Sequence, residues 1–431
     1  MDILRKELSN PLYGEITIPS DKSVSHRAII IGSMTMGKIE ISNFSKGGDC
    51  VSTLNIFKNL GLEVEFKDEK TLIINSKNGI KGVDIPLDCG NSGTSMRLLS
   101  GYLAPRNFKS VLIGDVSLSK RPMKRVIEPL LQMGASIKSN DGKAPLEIFP
   151  SKLSGITYNS KIASAQVKSC LLLAGINSEG ETSVIEPYLS RNHSELMLEY
   201  FNADIETGKI DNKFYSKIKK SFLEPKNLFI PGDISSAAFF ICAALITKGS
   251  DIIIKNVGLN KTRTGVIDVL SKMNADIEIL DLRLVNNEPI GDIRVKYSML
   301  KGTVIEGGII PRLIDEIPVI ATLAAFADGT TIIKDAADLK NKESDRIACT
   351  SLELRKMGVD IRPTNDGFII NGNSGKSIAG GVELNCYHDH RLAMSFYIAG
   401  LRAKNPVLIK EFEWVNTSFP EFLPLFEKLG A

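Results

Sequence analysis

The chain has 431 residues, more than one ordinary core holds, and its length suits two domains of roughly 200 residues, each able to bury a sizeable interior. Apolar residues make up 43% and charged residues 24%, which excludes wholesale disorder. With 53 basic and 50 acidic residues the formal net charge is only +3, too balanced for a nucleic-acid or membrane-surface protein, so any positive field must be local.

Residues 1–18 read as a strand segment that precedes the first repeat and on spacing alone can join either half. The stretch PSDKSVSHRAIIIGSM, residues 19–34, then opens an apolar helix with Lys22, Ser23, His26 and Arg27 in its first turns. A helix start has unpaired N–H groups and a partial positive charge, so cations and hydroxyls placed there suit a strongly anionic ligand. A capped, solvated helix end would look the same.

From there one pattern recurs: a small-residue-rich apolar helix, a short turn, a β-branched strand and a polar stop. It reads IIIGSMTMGKIEISNF, LLSGYLAPRNFKSVLIGD, LLLAGINSEGETSVIEP, FICAALITKGSDIIIKNV, VIATLAAFADGTTIIKDA and FYIAGLRAKNPVLIKEF. The copies start at intervals of about 70 to 80 residues, the mark of a repeated supersecondary unit. Between them runs a second echo, FKNLGLEVEF, LLQMGASIKS, EYFNADIETG, LSKMNADIEI and LRKMGVDIRP, each a helix ending near Gly or Asn before an alternating strand. The unit is therefore helix, strand, helix, strand, strand; six units divide three to a domain, in an α/β protein of repeated subdomains. Pro225, Pro231 and Gly232 place the break near EPKNLFIPGDISSAAFF.

Polar clusters fall at the helix entries. In CGNSGTSMRLLSG, Gly90 and Gly93 allow close backbone approach, Asn91 and Thr94 can donate or cap, and Arg97 lies one turn in. The spacing is neither a nucleotide P-loop nor a Rossmann turn. In SLSKRPMKRVIEPLL, Arg121 is the candidate for a forked grip on a carboxylate or phosphate, while Lys124 and Arg125 read as a solvated basic face. SAQVKSCLLLAG offers Ser164, Gln166 and Lys168, and SRNHSELM offers Ser190, Arg191 and His193, the last read as a helix-start hydrogen-bonder rather than a catalyst.

The second half supplies acids. Asp315 and Glu316 immediately precede a long apolar helix, where Asp315 is either a base for a hydroxyl proton or an ordinary N-cap. LKNKESDRIACTSLELRKMG sets Lys342 and Arg346 four apart on one face with Glu343 beside them, as an ordinary charge-laced helix also would. YHDHRLAMSFYIAG brings Asp389, His390 and Arg391 to the sixth apolar helix, without a zinc spacing, and reads as an arginine anion clamp. The six cysteines are scattered, form no C-x-x-C pair and read as reduced core thiols. The opening MDILRKELSNPLYG has no apolar signal core and no apolar run approaches a membrane span, so a cytoplasmic, unprocessed protein is expected.

Lined up in order, SDKSVSHRA, GNSGTSMR, KRPM, SAQVKS, PGDISSAAFF, DEIPVIATLAAFADG, KESDRI, DHRLAMSF and TSFPEF closely resemble the 5-enolpyruvylshikimate 3-phosphate synthase family across nearly the whole chain. SAQVKS, SRNHSE and PGDISSAAF are more similar to the bacterial branch typified by Gram-positive and glyphosate-tolerant enzymes than to the enterobacterial and plant branch. The resemblance implies two inside-out α/β barrel domains of three βαβαββ units each, residues 19–231 and residues 1–18 plus 232–431, closing on shikimate 3-phosphate and phosphoenolpyruvate. It implies that Lys22, Ser23, Arg27, Ser164, Ala165, Gln166, Arg191, Asp315 and Lys342 hold shikimate 3-phosphate. Lys22, Gly93, Arg121, Gln166, Arg346 and Arg391 would hold phosphoenolpyruvate, with Asn91 and Thr94 shaping the glycine turn and Arg97 supporting it.

The expected mechanism has Asp315 take the proton of the 5-hydroxyl as it attacks carbon 2 of phosphoenolpyruvate, while Glu343, with Lys22, protonates carbon 3. No metal or organic cofactor is required, and a monomer is expected. Two departures from the family pattern stand out. The lysine that precedes the final T-F-P in the enterobacterial branch is Thr417 here, and Gly93 stands where tolerant members often carry Ala, which implies sensitivity to glyphosate. The rival readings are the related enolpyruvyl transferase of UDP-N-acetylglucosamine, which usually carries a cysteine in a mobile glycine-rich loop, and a non-catalytic binder of anionic metabolites. The loop around Arg121 has no cysteine.

Overall fold

A helix that is apolar all round has no face to offer water, so the helices that open the repeats must lie inside and the sheets outside. The computed structural model describes residues 1–431 and divides them into two units, Ser20–Pro231 with Leu284–Glu288 (the N-terminal unit), and Met1–Pro19, Gly232–Arg283 and Pro289–Ala431 (the C-terminal unit).

The N-terminal unit contains α1 (Lys22–Gly32), α2 (Gly48–Asn59), α3 (Gly93–Leu103), α4 (Lys124–Gln132), α5 (Ala165–Gly175) and α6 (His193–Tyr200). Helices α1, α3 and α5 are each buried at nine of eleven positions and form the centre, whereas α2 and α4 bury one face only. Each central helix leads into the inner strand of a four-stranded sheet: Lys38–Ser42, Ser110–Ile113 and Glu181–Glu186. That strand has a parallel neighbour on one side and an antiparallel hairpin on the other. Burial alternates along it, with Ile39 and Ile41 inward and Lys38 outward, as a sheet with one wet face requires. The parallel neighbour of Lys38–Ser42 is Leu228–Phe229, from the far end of the unit, so the last strand of the third repeat completes the first sheet.

The C-terminal unit repeats the scheme with α7 (Ile234–Ile246), α8 (Gly265–Lys272), α9 (Ile317–Ala324), α10 (Arg346–Lys356), α11 (His390–Gly400) and α12 (Phe422–Lys428). Helix α7 is buried at twelve of thirteen positions and α9 at all eight. Here the edge strand of the first sheet is Tyr13–Thr17, parallel to Asp251–Gly258 with Tyr13 opposite Asp251, so the segment before α1 is tied into this unit.

The sixth repeat departs from the expected helix, strand, helix, strand, strand. Its strand Val407–Lys410 is parallel to Glu383–Asn385, but its antiparallel neighbour is Ile3–Arg5 from the start of the chain. After Lys410 come a 3-10 turn, Phe412–Thr417, and α12. Phe412, Phe419, Phe422 and Phe426 pack with Phe240 of α7 and Tyr397 of α11, Phe240 stacking on Phe426 at 4.4 Å between ring centroids. Aromatic burial thus takes the place of the missing hairpin, and the TSFPEF segment supplies core. No helix is long and apolar enough to cross a membrane.

Candidate active site

In the N-terminal unit Lys22, Gly93 and Ala165 are the first residues of α1, α3 and α5. Asp21 caps α1 by accepting from the Val24 N–H at 2.9 Å, and Ser92, rather than Asn91 or Thr94, caps α3 through the Ser95 N–H at 3.1 Å. Ser164 occupies the N-cap position of α5 without a side-chain cap bond. Side chains link the starts of α3 and α5. Gln166 Nε2 donates to Thr94 Oγ1 at 3.2 Å, and Arg97 Nη1 donates to Gln166 Oε1 at 2.7 Å. Arg121 Nη2 donates to Asn91 Oδ1 at 2.7 Å, fixing its guanidinium against the glycine turn. A Cβ on Gly93 would lie 2.8 Å from Arg97 Nη1 and 3.6 Å from Arg121 Nη1, so the absence of a side chain there leaves room for both arginines.

Arg27, 3% exposed, reaches inward from α1. Its Nε donates to Ser194 Oγ at 2.7 Å, its Nη2 to Ser169 Oγ at 2.9 Å and its Nη1 to the Ser23 carbonyl at 2.9 Å. Lys22 Nζ lies 3.0 Å from Asp49 Oδ2, with both side chains partly open to solvent. Arg191 stands in the segment before α6, next to Ser190, whose N–H and hydroxyl both donate to Glu186. Helix dipoles and five basic side chains, Lys22, Arg27, Arg97, Arg121 and Arg191, therefore stand at or near the helix starts of one unit, the arrangement that favours an anion.

Other residues of the sequence clusters lie elsewhere. Lys168 is sealed in the core, 2.8 Å from both Glu186 and Glu195, which exposes no charge to a ligand. Burial opposes its charge, but Glu195 and Glu186 outweigh that and hold the ammonium above its usual range. His26 points into the core, its Nδ1 2.7 Å from Thr53 Oγ1, which in turn is 2.6 Å from Ser95 Oγ. Burial pushes the imidazole down to about 3, so at neutral pH it links α1, α2 and α3 as a neutral group and adds no positive charge. His193 is buried with Nδ1 2.6 Å from Glu288 Oε1, the hydrogen-bonding role expected of it. Lys124 pairs with exposed Asp141 at 2.9 Å on a solvated face.

In the C-terminal unit Glu316, not Asp315, holds the N-cap position of α9, and it makes no cap bond. The Asp315 carboxylate instead lies 3.5 Å from Lys342 Nζ and 3.7 Å from Arg346 Nη1. Lys342 and Arg346 do not share a helix face. A 3-10 turn, Ala337–Asn341, ends before Lys342, and α10 starts at Arg346 behind the N-cap Asp345, which accepts from the Ile347 and Ala348 N–H groups at 3.1 and 3.0 Å. Asp345 prefers the cap to a helix interior, so KESD is a bend and Asp315 is what the two cations share.

Arg346 is 1% exposed. Its Nε donates to Asp389 Oδ2 at 2.8 Å, and its Nη2 donates to Glu343 Oε2 at 2.7 Å and to Asp389 Oδ1 at 3.2 Å. Its Nη1 has no hydrogen-bond partner. Burial works against this charge, but Asp389, Glu343 and Asp315 more than offset it and keep the guanidinium protonated. Asp389 also caps α11 by accepting from the Arg391 N–H at 3.0 Å, and Arg391 Nη1 donates to the Asp315 carbonyl at 3.1 Å. Thr417 ends the 3-10 turn, its hydroxyl donating to the Trp414 carbonyl at 2.7 Å. Sequence reasoning did not flag Asp49, Ser169 or Ser194, since isolated polar residues in helices carry no spacing signal, and it read Asp389 only as part of a clamp.

All six cysteines are free, and five are buried. Burial pushes the thiols up, to about 12 for Cys50 and Cys170 and to about 11 for Cys349 and Cys386, so none is a ready thiolate. No group of three or more His, Cys, Asp and Glu side chains is arranged to hold a metal.

The chain is similar to known proteins over nearly its whole length. A family model described as EPSP synthase (3-phosphoshikimate 1-carboxyvinyltransferase) matches residues 6–426. The chain is 49% identical over 425 residues to the 3-phosphoshikimate 1-carboxyvinyltransferase of Geobacter metallireducens, covering 97% of each chain. It is 50% identical over 426 residues to the protein of that name from Petrotoga mobilis, covering 97% of this chain and 98% of the relative. The structure of EPSP synthase from Acinetobacter baumannii superposes with a TM-score of 0.89 at 42% identity, covering 100% of this chain and 98% of the other. The enolpyruvyl transferase NikO from Streptomyces tendae shares the fold, with a TM-score of 0.79 at 16% identity over 100% of this chain and 98% of its own. With the family model spanning nearly the whole chain and relatives at about half identity over almost their full length, the chain belongs to the EPSP synthase (3-phosphoshikimate 1-carboxyvinyltransferase) family.

Proposed function

We propose that this protein transfers the enolpyruvyl group of phosphoenolpyruvate to the 5-hydroxyl of shikimate 3-phosphate in the shikimate pathway, with the residues named from its sequence in the following roles. Lys22, Ser23, Arg27, Ser164, the Ala165 backbone, Gln166, Arg191, Asp315 and Lys342 hold shikimate 3-phosphate. Lys22, Asn91, Gly93, Thr94, Arg121, Gln166, Arg346 and Arg391 hold or shape the site for phosphoenolpyruvate. Asp315 takes the hydroxyl proton as the oxygen bonds to carbon 2, and Glu343, assisted by Lys22, delivers a proton to carbon 3. In the tetrahedral adduct Glu343 takes a proton back from carbon 3 as the bond from carbon 2 to the phosphate oxygen breaks, and the proton held by Asp315 leaves with the phosphate, giving enolpyruvylshikimate 3-phosphate and phosphate. Arg121, Arg346 and Arg391 offset the negative charge that moves during these steps.

The observation that carries the reading is Arg346: a buried guanidinium flanked by two carboxylates of partial exposure, Asp315 and Glu343, with one donor, Nη1, not hydrogen-bonded. A binder of anions would need the arginine and not the two carboxylates, which repel an anionic ligand unless they move protons. The free, mostly buried thiols support a reducing, cytoplasmic setting, and the small Gly93 beside two arginines supports inhibition by glyphosate. The test is phosphate release from phosphoenolpyruvate by purified protein, with shikimate 3-phosphate, with UDP-N-acetylglucosamine, and with neither. Release only with shikimate 3-phosphate is expected. Release with the sugar nucleotide, or binding of both substrates without release, overturns the proposal.

A further inference from the structure

Behind Asp315 and Arg391 the C-terminal unit contains a buried polar chain that none of the roles above uses. Arg263, 2% exposed, donates through Nη2 to Asp233 Oδ1 at 2.9 Å and to Ser235 Oγ at 2.7 Å. Asp233 caps α7 through the Ser235 N–H at 2.9 Å. The Ser235 hydroxyl, which accepts from Arg263, donates to Glu316 Oε1. Glu316 is completely buried, and its Oε1 lies 3.7 Å from Arg391 Nη1. The same Nη1 donates to the Asp315 carbonyl at 3.1 Å.

A fully buried carboxylate is costly unless cations compensate it, so its place needs a reason. Capping is not the reason, since the Glu316 side chain makes no bond to the N–H groups of α9. Packing is not the reason either, because an apolar side chain of the same size would fill the space without desolvating a charge. What the carboxylate does is face one side of the Arg391 guanidinium while the adjacent peptide carbonyl takes a hydrogen bond from it. An arginine held at two points of one short segment keeps its remaining donors directed elsewhere, and the aim of an arginine fork is what sets its grip on a carboxylate. Ser235, pinned by Arg263, fixes the direction of Oε1 in turn.

We infer that Glu316 is a positioning residue, which together with Ser235 and Arg263 aims the Arg391 guanidinium at the anionic group of phosphoenolpyruvate. The inference rests on the reading that Arg391 grips phosphoenolpyruvate. It concerns one substrate only, which a general loss of structure would not.

Steady-state kinetics with each substrate varied in turn, on Glu316→Gln, Ser235→Ala, Arg391→Lys and the double variant Glu316→Gln/Arg391→Lys, separates the possibilities. Glu316→Gln keeps the shape and removes the charge, and its KM for phosphoenolpyruvate should rise about tenfold with the KM for shikimate 3-phosphate unchanged. Ser235→Ala should move the same constant in the same direction by a smaller factor. In the double variant the two effects should fall well short of multiplying, because both act on one guanidinium. Equal changes for both substrates, a change confined to kcat, or fully multiplicative effects overturn the inference. An unchanged KM for phosphoenolpyruvate in Arg391→Lys would instead remove the assignment of Arg391 itself. If Glu316→Gln does not fold, Ser235→Ala carries the same test, and a normal KM for phosphoenolpyruvate in that variant overturns the inference.

Discussion

Asp389 accepts from both Nε and Nη2 of Arg346, at 2.8 and 3.2 Å, while it holds the N-cap position of α11 and its Oδ1 caps that helix. One carboxylate thus fixes the start of a helix and the plane of a guanidinium. Asp389→Asn keeps the cap and withdraws the charge, leaving Arg346 short of its strongest partner in a buried place. We expect a loss of about 3 kcal/mol of stability, read from the shift of the urea unfolding curve. A shift within error would show that Glu343 and Asp315 suffice to hold Arg346.

Asp315→Asn and Glu343→Gln should each lower kcat by about a hundredfold or more, the scale of a lost proton-transfer group. Phosphate release at saturating substrates measures it. Near-normal turnover in either variant would free that carboxylate of its assigned step and leave it as a partner of Lys342 or Arg346.

His26 links folding to pH. The unfolded imidazole binds a proton near 6.5, but burial delays this in the folded chain to about 3. Between those values the unfolded state takes up a proton that the native state refuses. Stability is therefore full above pH 6.5 and falls as the pH drops, by about 1.4 kcal/mol per unit and about 2 kcal/mol by pH 5. Urea midpoints at neutral pH and near pH 5 should differ more in the wild type than in His26→Gln. An equal difference in both proteins would assign the acid sensitivity to other groups.

Gly93→Ala places a Cβ 2.8 Å from Arg97 Nη1. The clash is with the far end of a flexible side chain, so the protein should fold with little loss, and Arg97 should yield by shifting away from Gln166. Inhibition by glyphosate should weaken more than the KM for phosphoenolpyruvate rises. The ratio of the inhibition constant to that KM is the quantity to compare, and a ratio equal to the wild type would remove Gly93 as the determinant.

Lys168→Met is expected to act only on stability. Glu186 and Glu195 would be left buried without their shared cation, a change worth about 3 to 5 kcal/mol. Lys342→Met, at a partly exposed position, should leave the unfolding curve in place and raise the KM for shikimate 3-phosphate. Finding the opposite pattern would exchange the structural and binding roles of the two lysines.

The sequence by itself determined the repeat, because the apolar helices and β-branched strands recur with a period that single-residue noise does not hide. It also located the clusters, since helix entries are marked by Ser, Asp, Gly and Pro next to apolar runs. The tertiary structure alone decided which charges serve the interior. Lys168 and Lys22 both stand near the starts of central helices, yet one closes a buried pair of glutamates and the other stays half open beside Asp49. His26 and Arg27 are neighbours, and only Arg27 carries a charge at neutral pH. KESDR read as one helix face became a bend because Asp345 took the cap and Asp315, some thirty residues earlier, gathered Lys342 and Arg346. Periodicity is a local property and is written in local sequence. Desolvation and ion pairing depend on what the rest of the chain brings alongside, and no spacing rule encodes that.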